Sequence, residues 1–570
     1  MLSLDQLESR LDARFRLLRS QHATHSRQVD MRAAIDWSWA LLTSIERLAL
    51  AQCSVFHGGF TLVDAEAVLD LSGAGEDLWP DEVLGALVDK SLIRRWAPAR
   101  GVLRFGLYES IRAFAREKLE VAGADTSATA VLAEPDVREH LRRRHAQRYG
   151  ELGQPEALAR LRVHGGLEVY ATLRVELENL LAAFEAAMEY GETAIGVRCG
   201  CALATVFKLQ GPVAYGQRLV ERVLALPDLD REQRCFVLHE AAMLGAGLAG
   251  SEVVLRYWEE ILENEEVARR VGVYPVVMAR LALHDRDHGR TERARARFVE
   301  ALKAARESGD RGREGFVLGC MGGFYQSMSE MPRAGACYEL ALNLTREVGD
   351  PITEAVILLN QGTYYDDLGQ PDDAEAAYLK VLAPARLAND VDRVGGALAN
   401  LSLLYRVQGR FGESMRYARD AIALFEGQGK TKGVAISVGN LGDLHYEMGD
   451  LQQARRHLEK VLPALDAKVP FAAGAFRGTL ALICADEGDF DGAYALLSAG
   501  EEQLRNTHAP EFGKIRSRRG LVDLLGGEVS SAQRILAEVT QILNDAGASA
   551  HSELAQAVRQ LRERLKNAGA

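Results

Sequence analysis

The sequence predicts an all-α fold: a right-handed solenoid of stacked helical hairpins, preceded by a smaller helical module with one β-hairpin. Three observations predict it. The 570 residues are 48% hydrophobic and 26% charged with only 14 Pro, and Ala, Leu, Glu and Arg, all good helix formers, are abundant. A small residue recurs every 39 or 40 positions between about residue 270 and residue 540. The residues before 121 lack that period and contain two short apolar runs around a Pro/Gly loop.

The chain opens MLSLDQLESRLDARFRLL, charged from residue 5 onward, which does not suit a secretory signal. No run of 18 apolar residues occurs, so no membrane-spanning helix is expected and the expected location is the cytoplasm. Residues 1–30 are expected to form a residual helical segment. The formal net charge is −12, from 68 basic and 80 acidic residues. That balance argues against a general nucleic-acid or membrane-surface binder. Eleven of the 68 basic residues are Lys and 57 are Arg, which reads as coding bias before it reads as phosphate recognition. The seven Cys form no CxxC and lie mostly in apolar helical runs; buried free thiols are expected, not disulfides or zinc.

Residues 31–121 suggest helices at 31–42, 44–55, 62–70 and 81–90. The runs SLIRRW (91–96) and VLRFGL (102–107) follow, joined by APARG with Pro98 and Gly101, and the helix YESIRAFAREKLE ends near 120. A helical cluster, a hairpin and a further helix suggest a winged-helix module. In such a module the recognition helix normally brings Arg, Lys or Asn to the major groove. Here that helix is DEVLGALVDK, with Asp81, Glu82 and Asp89 against Lys90, and 31–121 carries 10 basic and 13 acidic residues. Domain packing is therefore favoured over DNA binding. Arg142-Arg143-Arg144-His145 is the best local basic patch, within a connecting region at 122–165; a solvated helix face is its simpler explanation.

The repeats are expected over 166–570. One turn recurs at Gly289, Ser329, Gly369, Gly409, Gly449, Gly488 and Gly527. Five residues later stand Ala294, Ala334, Ala374, Ser414, Ala454, Ala493 and Ala532, and nine later Phe298, Tyr338, Tyr378, Ala418, Leu458, Leu497 and Leu536. Four before the turn stand Tyr325, Tyr365, Tyr405, His445 and Cys484, a column that breaks at the outer units with Asp285 and Asp523. Two helices of about 14 residues and two turns fill such a unit, the small residue letting helix A and helix B approach. Gly at the A–B turn supplies a left-handed backbone. A second turn recurs at Asp310, Asp350, Asp390 and Lys430. Steps of 39 residues upstream reach Gly250 and Gly211. The charged final helix, SELAQAVRQLRERLKNAGA, suits a solvent-facing cap.

NQGTYYDDLGQPDDAEAAYLKVL, NLSLLYRVQGRFGESMRYARDAIAL and NLGDLHYEMGDLQQARRHLEKVL resemble tetratricopeptide repeats in a 40-residue form. MRAAIDWSWALLTSIERLALAQCSVFHGGFTLVDAEAVLD, LVDKSLIRR and LYESIRAFAREKL resemble the winged helix after the nucleotide-binding domain of AfsR-type bacterial signal-transduction ATPases with numerous domains (STAND proteins). ELENLLAAFEAAMEYGE (176–192) resembles the opening of the repeat arm there, and DQLESRLDARFRLL (5–18) the tail of the ATPase module. The chain departs from the family pattern at 27–31, RQVDM. The resemblance implies an ATPase, then a winged helix, then repeats that sense or bind a partner, with the ATPase outside these 570 residues.

No catalytic residue, cofactor or metal is expected. GxSxG, zinc spacings and Cys–His signatures do not occur. LFEGQGKT (424–431) has Gly429, Lys430 and Thr431 of a phosphate loop, but Leu424 replaces the first Gly and the register makes it a turn between hairpins. His284 and His288 are four apart on one helix face; His284 aligns with Phe324, Tyr364, Leu404 and Leu444 and reads as packing. The ladder Asn360, Asn400 and Asn440 stands nine before the turn on helix A. Helix A lines the concave wall in tetratricopeptide folds, and the resemblance implies that an amide there contacts an extended peptide backbone; the alternative is an inter-helix hydrogen bond. Thr363, Asp366, Leu403, Arg406, Asp443 and Tyr446 are its neighbours by register. The function expected is a non-catalytic scaffold or sensor arm in bacterial signalling or transcriptional regulation, binding a protein or peptide in this groove. The alternatives are the sensor half of a STAND ATPase whose ATPase is absent or separately encoded, and DNA binding through the winged helix.

Overall fold

The structure is a computed structural model that describes residues 26–71, 79–97, 102–121, 135–245, 252–505, 509–545 and 552–568. The segment 5–18, the turn at Gly250 and the loop residues Pro98 and Gly101 lie outside the described residues. The chain divides into two compact units: 1–152 with 175–199, and 153–174 with 200–570. This division differs from a boundary at 166, because the chain enters the second unit at 153, returns to the first at 175 and leaves it again after 199.

The first unit holds helices Ser26–Ala40, Ser44–Cys53, Leu62–Val68, Pro80–Asp89 and Glu109–Val121. Two of them start at capping boxes, Thr43 with Glu46 and Thr61 with Asp64, each box satisfying two backbone amides that a helix start leaves open. The first helix begins five residues earlier than the periodicity places it. A short strand β1 lies at Phe60–Thr61, and the expected hairpin is present as β2 (Arg94–Trp96) and β3 (Arg104–Gly106), so that the sheet has three antiparallel strands in the order β1-β3-β2. β1 (Phe60–Thr61) sets Phe60 opposite Phe105. A two-residue strand shows no alternation, so its pattern could not be read beforehand. Gly59 adopts φ 103° and lies so close to the Trp96 ring that a Cβ would fall 2.6 Å from it. Phe56, Phe60, Leu84, Leu87, Ile93 and Phe114 form buried parts of the core.

In the second unit, hairpins pair Tyr274–Asp287 with Thr291–Glu307, Arg311–Ser327 with Met331–Val348, and Pro351–Asp367 with Pro371–Leu387. Val391–Val407 pairs with Phe411–Gly427, Thr431–Glu447 with Leu451–Lys468, Pro470–Asp486 with Phe490–Leu504, and Ala509–Leu525 with Val529–Asp545. Every A–B turn residue named above has positive φ, Ser329 included at 58°, and so do Gly309, Gly349, Asn389 and Gly429 between hairpins. Asp310, Asp350 and Asp390 each cap the following helix A through their side chains.

The small column is buried without exception; Ala294, Ala334, Ala374, Ser414, Ala454, Ala493 and Ala532 are all 0% exposed. That leaves room for the bulky column. Tyr338 lies against Gly322 and packs its ring 5.7 Å from Tyr364 of the next hairpin, and Tyr378 lies against Gly362. The broken column has its own chemistry. Asp285 is fully buried and accepts from Arg290, Arg293 and Arg297, and Asp523 accepts from the Tyr494 hydroxyl at 2.9 Å. Successive A helices contact one another while no comparable B-to-B contact occurs among the described residues, so helix A forms the inner wall. The last helix, Glu553–Ala568, buries Leu554, Val558, Leu561 and Leu565 against the final hairpin and closes the stack with an amphipathic face.

Candidate functional site

The inner wall collects the positions that the register selects. Asn360, Asn400 and Asn440 are all half-buried on consecutive A helices. They differ in their partners. Asn400 lies close enough to the Tyr378 hydroxyl of the preceding hairpin to act on it, a position that suits an inter-helix role. Asn360 and Asn440 make no side-chain hydrogen bond among the described residues; the Asn360 carbonyl accepts from the Thr363 hydroxyl at 2.7 Å. Thr363 is also reached by the Gln326 amide at 3.4 Å.

The neighbouring charges are not open to solvent as a plain groove would leave them. Arg406 donates to Glu447 and, at 2.5 Å, to Glu553 on the closing helix, 147 residues away. Glu553 also accepts from Lys514, which pairs with Glu511 at 2.6 Å. The Lys514 ammonium, foremost, holds the Glu553 carboxyl well below its usual range. Burial, followed by Glu553 and Asp367, pushes Asp366 up to about 6. Asp443 has one buried carboxylate oxygen without a partner, and burial raises the Tyr446 hydroxyl. This end of the wall therefore carries a charge network that the last helix completes, a contact that repeat spacing does not reveal.

The other sequence candidates fall into structural roles. Lys430 stands in the inter-hairpin turn and pairs with Asp392 at 3.0 Å. His284 and His288 pack ring to ring at 4.1 Å. In the helix Pro80–Asp89, Asp81, Glu82 and Asp89 are exposed while Lys90 is tied to Glu46 at 2.6 Å. The arginine run is used internally: Arg142 pairs with Glu189, Arg143 with Glu139, and Arg144 donates to the Ala67 and Leu69 carbonyls.

The motif at 176–192 falls in the first unit, where its helix packs against Pro135–Gly150. Asn179 is fully buried. It accepts from the His57 amide at 2.7 Å and donates to the Gly59 carbonyl and to Glu176, both at 2.8 Å. Glu176 in turn takes the buried Arg104 guanidinium, which also donates to Gly59 at 3.0 Å. Glu176 and Asn179 thus tie the helix to the wing.

A small winged-helix unit and a stack of tetratricopeptide hairpins define the class. Residues 46–120 match the model of a winged helix-turn-helix domain and residues 324–566 that of a MalT-like TPR region. A Mycobacterium tuberculosis protein that carries the name of an HTH-type transcriptional regulator is 30% identical over 316 residues, 53% of this chain and 33% of that one. A second protein of that organism, uncharacterized, is 37% identical over 146 residues, 25% of this chain and 35% of its own length. The chain thus spans about a third of the curated relatives it matches. Among solved structures, a STAND protein with a tetratricopeptide repeat sensor from Pyrococcus horikoshii aligns over 85% of this chain and 66% of its own, at 15% identity and a TM-score of 0.45. A Rap protein complexed with competence and sporulation factor aligns over 66% and 98%, at 12% identity and a TM-score of 0.44. No helix among the described residues is long and apolar enough to cross a membrane.

Proposed function

We propose that this chain is a non-catalytic interaction module of bacterial signalling or transcriptional control, whose repeats bind a peptide or protein segment along the inner wall. The observation that carries the reading is the pair Asn360 and Asn440, half-buried on helix A with no side-chain partner among the described residues. An amide so placed offers one donor pair and one acceptor to an extended backbone, a mode that tolerates varied side chains. The regulator name of the mycobacterial relatives supports the pathway assignment, and the acidic outward face of Pro80–Asp89 supports packing over DNA binding. Domain limits of 31–121 for the winged helix, and a groove that includes Thr363, Asp366, Arg406, Asp443 and Tyr446, belong to the same proposal.

The test is partner capture by the full chain, compared with Asn360→Ala/Asn440→Ala. Each amide bond to a peptide contributes about 1 kcal/mol, so the double variant should weaken a captured partner roughly tenfold or more while Asn400→Ala lowers stability. Unchanged affinity in the folded double variant would remove the reading.

A further inference from the structure

One stretch of chain outside the repeats is seated on them. Segment 153–174 belongs to the second unit, although the chain on either side of it belongs to the first. It holds the helix Pro155–Ala159 and the short helix Arg160–Arg162, and it begins the helix Gly166–Val175. Arg160–Arg162 lies against Pro351–Asp367, the inner-wall helix that carries Asn360. Leu158, Leu161 and Tyr170 are buried.

The point of attachment is a turn. The Gly166 amide donates to the Val163 carbonyl at 2.9 Å and Gly165 has φ 85°, so residues 163–166 make a β-turn with His164 at its second position. The His164 amide donates to the Val348 carbonyl at 3.0 Å, and His164 Nε2 lies 3.3 Å from the Glu347 carbonyl. Both carbonyls belong to the last turn of Met331–Val348, where a helix leaves acceptors open. The His164 ring covers Gly349, so that a Cβ there would fall within the ring.

The repeats supply their own comparison. Gly309 and Gly429 stand in the same inter-hairpin turn with φ 68° and 65°, against 79° at Gly349, and a Cβ at either meets nothing within 4 Å. Of these three turns only the one at 349 is covered. That turn leads into Asp350, whose side chain accepts from the Ile352 and Thr353 amides and so caps Pro351–Asp367. What steadies the turn therefore steadies the helix start, and with it the helix on which Asn360 stands. His164 is exposed, so its hydrogen bonds can be exchanged for water and the seat is easily left. Both ends of the segment are covalently held, which keeps it near the seat once it has left.

We propose that segment 153–174 is a releasable strap that sets the order of the partner-binding wall at Asn360. Seated on the turn at 347–349, it holds the start of Pro351–Asp367 in place; unseated, it lets that start fray. A partner that prefers the ordered wall tightens the strap, and the seated strap favours that partner, because coupling between two sites is reciprocal. This use of the strap rests on the inner wall being the partner's site; the seating of the strap does not.

The experiment is hydrogen exchange on the full chain without a partner, so its outcome is separate from that of Asn360→Ala/Asn440→Ala. Gly349→Ala, whose Cβ displaces His164, is compared with Gly309→Ala and Gly429→Ala, which share its backbone strain and touch no strap. Exchange over 157–170 should rise roughly tenfold, and over 351–360 severalfold, in Gly349→Ala alone. His164→Pro removes the amide donor at a turn position that suits Pro; it should act in the same way and stays informative if Gly349→Ala does not fold. Exchange over 157–170 that is unchanged in both, or raised equally by all three glycine variants, overturns the seat. Faster exchange over 157–170 with 351–360 unchanged overturns the ordering role.

Discussion

Replacing Asn179 by Ala tests how the first unit is held together. The side chain is fully buried and carries three good hydrogen bonds plus a 3.3 Å approach to His145. Its partners do not suffer equally. The Gly59 carbonyl keeps Arg104, and Glu176 keeps the same guanidinium. The His57 amide has no other acceptor among the described residues, so it becomes the orphan. An unsatisfied buried donor costs about 1–3 kcal/mol, and the space vacated by the amide adds roughly 1 kcal/mol. A loss of about 2–4 kcal/mol follows. Trp37, Trp39, Trp79 and Trp96, four of the five Trp, lie in the first unit, so tryptophan fluorescence reports on it while far-UV circular dichroism weighs the repeats. With a urea slope of about 2 kcal/mol/M, the fluorescence midpoint should fall by about 1–2 M and the dichroism midpoint much less. A fluorescence shift below about 0.3 M, or equal shifts in both signals, would refute the assignment of Asn179 as the tie within that unit.

Three other outcomes are expected. Gly362→Ala sets a Cβ 2.3 Å from the Tyr378 ring; the buried ring cannot yield easily, and thermal or urea unfolding should show a loss of about 1–3 kcal/mol, whereas Gly409→Ala meets open space and is strained only by its positive φ. Acidification should loosen the first unit: burial first, then Arg112, lowers His57 to about 3, and burial lowers His145 to about 4. Both rings are neutral when folded and bind protons more readily when unfolded, so their contribution is complete above pH 6.5 and is lost progressively down to about pH 4 and then 3; a fluorescence-detected stability that stays flat from pH 7 to 5 contradicts this. Glu553→Ala leaves Arg406 and Lys514 with one carboxylate each, and since Glu553 is partly exposed it should cost about 1 kcal/mol, visible as faster hydrogen exchange in Glu553–Ala568; unchanged exchange there denies the closing role of the network.

The repeat was legible because its physics is local. A positive φ at the turn and a 0%-exposed residue five positions later repeat along the chain, and each leaves its mark on residue type. The winged helix was legible for the same reason, apart from β1, which is held by pairing with β3 and not by any pattern of its own. The site was less legible. Asn400 looks identical to Asn360 and Asn440 in sequence, yet it alone of the three acts on a neighbouring hydroxyl, that of Tyr378. Arg406 was placed in the groove by register, but its partner lies 147 residues on. The roles of Glu176 and Asn179 depend on residues 57–59 and 104, which approach only when the first unit closes around them.

That column shows how one scaffold position is put to different uses. Nine residues before successive turns stand Arg280, Cys320, Asn360, Asn400, Asn440, Thr479 and Arg518. All are carried on A helices, so backbone geometry is nearly constant and side-chain chemistry is the variable. At 518 the arginine is satisfied by the Ala475 carbonyl at 2.8 Å. At 280 the guanidinium instead lies over the Phe316 ring, 5.1 Å from its centroid. The amides in the middle are neutral and can serve backbone; the arginine at 280 can serve only an acceptor. A stack of near-identical hairpins can thus vary the chemistry along one wall, with stability resting on the columns that do not vary.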